Sequence, residues 1–536
     1  MYDYILIGAG SAGCVLADRL TEASGARVLL LEAGGPDTRP EIRIPATFSR
    51  LFKTDADWGY HTVRQRHAAD REWFWPRGKV LGGSSSINAM IYIRGHRADY
   101  DGWAANGCTG WGYADVLPYF KKSEDNARIR NAYHGQGGPV RVEDPRSPSP
   151  LSQAFVQAAG EAGHDLNDDF NGAEQEGAGL YQLTQRGGRR VSAATAFLKP
   201  AMKRPNLSVE TGAHVSRVIV EGGVARGVEY VQGGVRRRAE ASGEVILCGG
   251  AINTPQLLML SGIGPASHLR EHGIEVAVDA SGVGQNLHDH PIVGVRWEAK
   301  EGTSLMDAET LGQVARYLLG RSGMLASNIA EAGLFAHSSG GGVIPDLQFH
   351  VAPALFYEHG FQAPEAHGFS LGPTLVTPKS RGSITLRSSD PMEHPDIDPN
   401  YFAEPEDIAA LVAGVRMARE IADQPAYRTL RGRAMDAMAD ANTDAEIAEQ
   451  IRQTAETLYH PVGTCRMGPD DASVVDLALR VRGVDGLRVV DASVMPTVPN
   501  GNTDAPTKMI AERAADLILG RISEPATATA SGAAGA

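Results

Sequence analysis

The sequence Tyr4-Ile5-Leu6-Ile7-Gly8-Ala9-Gly10-Ser11-Ala12-Gly13 contains the pattern that decides the fold. Its first four residues form a short apolar run, and the glycines after them form a G-x-G-x-x-G motif. A helical pattern follows from about Ser11 to Glu22, and Arg27–Leu31 is nearly all apolar, as a strand buried on both faces should be. The order of strand, turn, helix and strand predicts one βαβ unit.

The glycine turn predicts a dinucleotide-binding site. Such glycines permit a tight turn, close approach of a pyrophosphate and tight packing of helix on strand, while the helix start offers free amide donors. Glu32 lies 19 residues after Gly13, at the end of the second strand, where a carboxylate accepts hydrogen bonds from a ribose diol. The competing interpretation is a glycine turn beside a surface glutamate. The motif alone does not distinguish FAD from NAD.

The composition narrows the class of protein. The 536 residues suggest about two to four domains, and 51 basic against 64 acidic residues give a net charge of −13, which disfavours nucleic-acid partners. Four cysteines without a C-x-x-C pair argue against a zinc ribbon or a disulfide scaffold. No apolar run is long enough to span a membrane, and no basic segment precedes Tyr4. We therefore expect a cytoplasmic protein, with peripheral membrane contact left open.

Periodicity and turn residues predict the other elements. Residues 35–110 contain few regular elements, which is typical of functional loops. Residues 406–458 are predicted to be mainly helical, with a capping box at Thr443-Asp444-Ala445-Glu446, and a last helix begins near Pro506. Residues 523–536 are predicted to be a disordered tail. The predicted strands, of which the last three indicate an antiparallel sheet, are Leu207–Glu210, Val215–Val220, Glu244–Leu247, Leu347–Val351, Leu371–Val376 and Ser383–Leu386.

Four longer segments carry a more specific signal. They are RGKVLGGSSSINA at residues 77–89, GAINTPQLLMLSGIG at 250–264, YHPVGTCRMG at 459–468, and VDASVMP at 490–496 followed by GNT at 501–503. Together they closely resemble the signature patterns of the glucose–methanol–choline (GMC) family of FAD oxidoreductases, in the order of the family. Within that family the chain looks most like bacterial alkanol and polyethylene-glycol dehydrogenases, with choline dehydrogenase as a more distant relative.

The resemblance implies an α/β fold, α+β overall. A Rossmann-like FAD-binding domain would be interleaved with a substrate domain built on an antiparallel sheet. The FAD-binding domain would comprise residues 1–155, 205–300 and 455–520. The substrate domain would comprise residues 156–204 and 301–454 and would place its sheet over the isoalloxazine ring.

The resemblance also implies which residues contact FAD. Small residues suit this role, because a backbone that passes close to a planar ring cannot carry large side chains. Taken singly, each glycine or serine would be a plain turn without a ligand, and only the ordered set favours FAD. The residues expected to contact FAD are Gly8, Gly10, Ser11, Ala12, Gly13, Glu32, Ala33, Trp58, Gly82, Gly83, Ser86, Asn88, Ala89, Met90, Val215, Ala251, Asp491, Ala492, Asn502 and Thr503.

Catalysis is expected from His460 and Asn502. Alcohol oxidation removes a hydroxyl proton and a carbon-bound hydride; flavin N5 accepts the hydride, and a neutral imidazole with an ordinary pKa of about 6.5 is suited to take the proton. The resemblance implies that His460 contacts the substrate hydroxyl, as base or as donor to the developing alkoxide. It also implies that the Asn502 amide donates to the alcohol oxygen. The competing interpretation is that His460 only marks the end of a helix before Pro461 and has no catalytic role.

Four short segments bear on cofactor attachment or are candidates for polar sites. Some relatives attach FAD covalently through a histidine just before the signature asparagine, and Ile87 occupies that position here, so we predict non-covalent FAD. His288-Asp289-His290 has the composition of a metal pair, but the family has a similar segment without a metal, and we predict no metal site. Asp396-Ile397-Asp398 and Glu393-His394 are predicted to be turn and surface groups.

The resemblance therefore predicts FAD-dependent oxidation of a primary aliphatic alcohol to the aldehyde, with electrons passed to a quinone or dye-like acceptor. The alternatives are an oxidase that reduces O₂ to H₂O₂, a lyase that only binds FAD, and a nicotinamide-dependent Rossmann enzyme. Candidate segments for substrate contacts are Ser327–Phe335 and Val351–Phe361. The oligomeric state does not follow from the sequence.

Overall fold

The βαβ unit predicted from the glycine motif is present in the computed structural model. Strand Tyr2–Ile7 runs parallel to strand Val28–Glu32, and helix Ser11–Ala23 connects them. Every residue of Val28–Glu32 is buried, which explains why its sequence is continuously apolar up to the glutamate.

The structure describes residues 1–23, 25–300 and 302–525. The predicted tail at 523–536 lies mostly outside these residues, and its described part, residues 523–525, is in neither a helix nor a strand. Among the described helices, none is both long enough and apolar enough to cross a bilayer.

The βαβ unit forms part of a seven-stranded sheet. Val235–Leu247 belongs to both halves of this sheet, because its end pairs parallel with Tyr2–Ile7 and its beginning pairs antiparallel with Val224–Gln232. We predicted only Glu244–Leu247 of this strand. Residues 235–238 are all exposed, so no alternation of apolar and polar side chains marks them. The seven strands are Tyr2–Ile7, Val28–Glu32, Leu207–Thr211, Ala213–Glu221, Val224–Gln232, Val235–Leu247 and Leu487–Val489.

A second sheet has eight strands, and its strand pairs are antiparallel. Gly368–Leu375 is buried along its whole length and pairs with Leu347–Ala352. The fold class and the predicted antiparallel sheet are thus confirmed. The eight strands are Gly177–Leu180, Pro291–Ile292, Val295–Ala299, Ala332–Ala336, Leu347–Ala352, Gly368–Leu375, Arg431–Ala434 and Glu456–Thr457.

One predicted strand belongs to a different sheet. Ser383–Thr385 lies outside the second sheet and pairs with Asp396–Asp398. The prediction that Asp396-Ile397-Asp398 is a turn is wrong, because Ile397 is fully buried between two outward aspartates, and three residues are too few to reveal a period of two. The other short strands are Tyr60–His61, Phe74–Trp75, Glu124–Asn126, Val140–Val142, Ile263–Gly264 and Val278–Asp279.

The helices agree with the predicted pattern apart from their ends. The capping box is present: Thr443 Oγ1 accepts a hydrogen bond from the Glu446 backbone at 3.3 Å, and the Glu446 carboxylate accepts one from the Thr443 backbone at 2.9 Å. The last helix begins two residues before Pro506, which lies in its first turn. The α-helices are Ser11–Ala23, Pro40–Arg43, Arg97–Ala105, Tyr113–Ser123, Pro150–Glu161, Lys199–Ala201, Gly250–Leu260, Ala266–Glu271, Leu311–Gly320, Pro405–Ala422, Asp436–Asp440, Asp444–Thr454 and Asp504–Ile518.

The residue ranges of the two domains stay a prediction. The strands at 291–292, 295–299 and 456–457 fall within ranges that we assigned to the FAD-binding domain, yet they pair within the second sheet.

Three α-helices meet at a buried carboxylate. Glu512 accepts from Arg19 Nη2 at 2.7 Å and from Ser123 Oγ at 3.0 Å, and Lys122 Nζ lies 3.0 Å from it.

We expect Glu512→Ala to lower the free energy of unfolding by about 1–3 kcal/mol, because Arg19 and Lys122 lose their fully buried partner but keep their pairs with Asp18 and Asp516. The matched control is Glu449→Ala, which removes an exposed pair with Arg452 and should change stability by less than about 1 kcal/mol. Urea unfolding of the two variants and the parent protein measures both effects. Equal midpoints for the two variants would contradict this assignment.

Candidate active site

A cavity of about 350 Å³ is lined by residues from both sheets. Its volume is in the range of sites that bind cofactors and small ligands. One end is lined by the glycine turn and the start of helix Ser11–Ala23, and the other end by side chains of the second sheet, including His350 and Ser370.

Most residues predicted to contact FAD line this cavity. Glu32 does so while its carboxylate accepts hydrogen bonds from the backbone of Ala9 and of Gly34, both at 2.8 Å. Burial raises the pKa of Glu32 to about 7, an effect that the two backbone donors oppose. The predicted cofactor residues that line the cavity are Gly8, Gly10, Ser11, Ala12, Glu32, Ala33, Trp58, Gly83, Asn88, Ala89, Met90, Val215, Ala251, Asp491, Ala492, Asn502 and Thr503.

Three predicted contact residues, Gly13, Gly82 and Ser86, do not line the cavity. They shape its wall instead. A Cβ atom on Gly13 would lie 2.0 Å from the carbonyl oxygen of Gly8, so a larger residue cannot pack there. The Gly82 backbone donates to Ala9 at 2.8 Å, and Ser86 Oγ donates within its own loop at 2.8 Å.

The start of helix Gly250–Leu260, which also lines the cavity, is held by a buried carboxylate. Asp491 accepts from the backbone of Gly250 at 2.9 Å and from Thr254 Oγ1 at 2.7 Å. Asp491 therefore fixes helix Gly250–Leu260 against the 490–496 segment. Burial raises the pKa of the Asp491 carboxyl.

Asn88 is oriented by a buried arginine. Asn88 Oδ1 accepts from Arg190 Nη1 at 2.6 Å and from the Met90 backbone at 3.0 Å. Burial lowers the pKa of Arg190 to about 9. Because Oδ1 is occupied, Nδ2 is the group that Asn88 can offer to a ligand in the cavity.

The two predicted catalytic residues are in contact. His460 Nε2 lies 3.3 Å from Asn502 Nδ2, and His460 Nδ1 lies 3.0 Å from His290 Nδ1. The backbone of His460 donates to Asp289 at 2.6 Å, which fixes the position of the residue.

The direction of the hydrogen bonds at this centre follows from one backbone carbonyl. The hydroxyl of Tyr181 donates to the oxygen of Phe349 at 2.6 Å, so it accepts from Gln348 Nε2 at 3.0 Å. The same Gln348 nitrogen donates to Asn502 Oδ1 at 3.3 Å. Asn502 therefore turns its NH₂ group toward His460 Nε2.

This orientation selects one tautomer of His460. An amide NH₂ only donates, so His460 Nε2 must be an acceptor without a proton. The imidazole proton is then on Nδ1 and is donated to His290 Nδ1. Burial lowers the pKa of His460 well below its usual value, and the neighbouring His290, His350 and Arg77 act in the same direction.

The walls near His460 are mainly apolar. His350 is also there, with Nδ1 3.1 Å from Thr374 Oγ1 and a buried Nε2 that has no hydrogen-bond partner among the described residues. Arg296 lines the cavity and pairs with Asp436 at 3.2 Å. Apolar residues that line the cavity include Phe48, Phe52, Ile87, Ile292, Ile329, Ala352, Phe356 and Leu458.

Sequence reasoning did not assign Gln348, His350, Tyr181 or Arg190 to the site, and it considered His290 only as a metal ligand. A signal existed for two of them. Gln348 and His350 are two positions apart in the predicted strand Leu347–Val351, so they face the same side of the sheet, and polar residues in a buried strand are unusual. Both candidate segments for substrate contacts reach the cavity. Ile329 and Ala330 of segment 327–335 line it, as do Ala352 and Phe356 of segment 351–361.

Comparisons with known proteins identify the family of the chain. The GMC oxidoreductase models match residues 2–292 and 378–511. The chain is 48% identical over 531 residues to an alcohol dehydrogenase [acceptor] of Pseudomonas putida, covering 97% of this chain and 96% of the relative. It is 44% identical over 526 residues to an oxygen-dependent choline dehydrogenase of Brucella ovis, with coverages of 97% and 96%. Among solved structures, a formate oxidase of Aspergillus oryzae, studied for its FAD modification, has a TM-score of 0.90 at 30% identity, covering 97% of this chain and 98% of that one.

The chain belongs to the GMC oxidoreductase family. The predicted FAD is thus confirmed as the cofactor. The cavity fits it, because the first turn of helix Ser11–Ala23 offers free backbone amides suited to a pyrophosphate, and the contact between Gly83 and Gly10 leaves no room for a side chain. Non-covalent attachment and the individual contact residues stay predictions.

We expect acid precipitation to release FAD into the supernatant, because the buried side chain of Ile87, which lines the cavity, cannot form a bond to flavin. The measurement is the flavin absorbance of supernatant and washed pellet. A yellow pellet would show a covalent link and contradict this expectation.

Proposed function

We propose that the protein oxidises a primary, apolar alcohol to the aldehyde and passes the electrons to a quinone or dye-like acceptor. The observation that carries this proposal is the buried, unprotonated Nε2 of His460 opposite the NH₂ group of Asn502. When bound, FAD accepts the hydride from the alcohol carbon. A proton acceptor and an adjacent donor are what the protein must supply for the hydroxyl group.

In this proposal the substrate hydroxyl takes the place of the direct contact between His460 and Asn502. The hydroxyl donates to His460 Nε2, and Asn502 Nδ2 donates to the alcohol oxygen. As the proton moves to Nε2, the imidazole keeps its hydrogen bond from Nδ1 to His290. The two groups thus fix both the position of the oxygen and the direction of proton transfer.

The cavity wall favours a neutral, apolar substrate. Phe48, Ile329 and Phe356 offer apolar surface, and each methylene group buried there contributes about 0.8 kcal/mol. Arg296 in the same wall is paired with Asp436, so it offers no free charge to a substrate. Glu456 is also in the wall, and its carboxylate lies 3.7 Å from His359, whose pKa is lowered by burial. The apolar surface supports an aliphatic alcohol, whereas Glu456 is a group that would favour an ammonium alcohol.

The electron acceptor is proposed from a relative, the Pseudomonas putida alcohol dehydrogenase [acceptor]. An oxidase is the second candidate, because the Aspergillus oryzae structure is a formate oxidase. Peroxide formed in air-saturated buffer, compared with dye reduction at the same alcohol concentration, separates the two.

We expect His460→Ala to slow anaerobic flavin bleaching by alcohol about 10²–10⁴-fold, because the proton acceptor is lost. The control is His67→Ala, which changes an exposed histidine outside the cavity and should leave the rate unchanged. Stopped-flow absorbance gives both rates, and the flavin content of each variant is measured beforehand. A His460→Ala protein that retains FAD and is bleached at the parent rate would refute the assigned role.

The rate of flavin bleaching should depend on pH in a direction that follows from the lowered pKa of His460. The pKa of His460 is lowered, so Nε2 is unprotonated at neutral and alkaline pH and becomes protonated only on the acid side. We expect the bleaching rate to be constant above about pH 6.5 and to fall only below it. A rate that rises through a pKa near 7 or above would contradict a buried, neutral imidazole.

The substrate assignment is tested with a matched pair of alcohols. Choline and 3,3-dimethylbutan-1-ol have nearly the same shape and differ in charge. We expect kcat/KM to be roughly tenfold or more higher for the neutral alcohol, since the apolar wall penalises the desolvation of the cation. A preference for choline would contradict the apolar assignment.

A further inference from the structure

Helix Leu311–Gly320 exposes its apolar face. Leu311 and Leu319 are each 90% exposed and Leu318 is 61% exposed, whereas Tyr317 is buried. Surface helices of globular proteins normally turn their leucines inward. Exposed apolar groups of this kind, when contiguous, mark an interaction surface.

The helix is held firmly in this orientation. The Tyr317 hydroxyl donates to the Gly188 carbonyl at 3.0 Å, and its ring packs with Ala308, Leu325 and Ala326. Met306, five residues before the start of the helix, is also exposed, at 45%. We call the area formed by Met306, Leu311, Leu318 and Leu319 the leucine patch.

Arginines surround the leucine patch. Arg316 is exposed on the helix itself, and Arg321 follows the helix and accepts at its carbonyl from Arg146 Nε at 3.0 Å. Arg186 and Arg189 are exposed on the hairpin that carries Gly188, the partner of Tyr317.

None of these five arginines forms an ion pair within the described residues. Residues 302–310, just before the helix, contain two carboxylates: Glu309 is paired with Arg50, and Asp307 lies 4.0 Å from His367 Nε2. The cluster is notable because the chain as a whole carries a net charge of −13. The area around the leucine patch is therefore a local region of positive charge on an acidic protein.

We propose that the leucine patch and its arginines dock the protein peripherally on an anionic lipid bilayer. Exposed leucines would enter the boundary between headgroups and acyl chains, while the arginines would contact lipid phosphates. A second copy of the chain fits less well, because a two-fold contact through the patch would bring two sets of unpaired arginines together.

The docking surface is next to the cavity wall. Ile44 and Ala46 pack against the cluster around Tyr317, and Phe48 of the same segment lines the cavity. If the proposed function holds, an apolar alcohol and a quinone would reach the cavity from the bilayer side. The docking proposal itself rests only on the patch and its charges.

The test is co-sedimentation of the holoenzyme with vesicles of phosphatidylcholine alone and of phosphatidylcholine with phosphatidylglycerol at a ratio of 3:1. We expect binding to the anionic vesicles at least about tenfold stronger than to the neutral ones, and weaker binding at high salt. Flavin absorbance in the pellet measures bound, folded protein.

Two sets of variants separate the leucines from the arginines. The triple variant Leu311→Gln, Leu318→Gln, Leu319→Gln should lower partition about tenfold or more. Its control is Val235→Gln, Val343→Gln, Met392→Gln, which changes three exposed apolar side chains outside the patch and should bind like the parent. Arg146→Gln, Arg186→Gln, Arg189→Gln should abolish the preference for anionic lipid, whereas Arg226→Gln, Arg236→Gln, Arg237→Gln should not.

Three results would overturn the proposal. The first is a parent protein that stays in the supernatant with both kinds of vesicle. The second is loss of binding in the control variants to the same extent as in the patch variants. The third is mass photometry that shows a dimer which the leucine variant dissociates, without vesicle binding, because a second copy would then cover the patch.

Discussion

The carbonyl oxygen of Phe349 can only accept, and the hydrogen bonds that end at His460 take their direction from it. Tyr181 donates to this oxygen, Gln348 donates to Tyr181 and to Asn502, and Asn502 is left with its NH₂ group toward the imidazole. The proton acceptor of the proposed reaction is thus set by a strand of the second sheet. Chemistry at residue 460 therefore depends on how the second sheet packs against the segments that carry the catalytic pair.

Charge is distributed unevenly along the cavity. Glu32 and Asp491 are at the cofactor end, where backbone donors and a hydroxyl group satisfy them. Around His460 the walls are apolar, and the neighbouring His290 and His350 have lowered pKa values because they are buried. A neutral substrate end suits proton transfer to an imidazole that is uncharged in the resting protein. The buried carboxylate of Asp289 next to it is already engaged by the His460 backbone and by the hydroxyl groups of Thr457 and Tyr401.

Much of the fold could be predicted from local sequence. The G-x-G-x-x-G turn, the apolar second strand and the capping box at Thr443 each depend on a few adjacent residues, and all are present. The strand at 383–385 was predicted, but its partner at 396–398 was taken for a turn because three residues are too few to show an alternation. The exposed start of Val235–Leu247 has no alternation at all.

The candidate site was predictable only where it lies on continuous motifs. His460 and Asn502 stand in such motifs, and the structure brings them together. Tyr181 and Gln348 act through contacts between residues that are 167 and 154 positions apart in the chain. Local sequence patterns do not reveal such contacts. The most direct measurement of the central claim is the tautomer of His460, by ¹⁵N NMR of histidine-labelled holoenzyme, assigned with His460→Gln. The account predicts a neutral imidazole at pH 7 with its proton on Nδ1. A proton on Nε2, or an imidazolium, would contradict it.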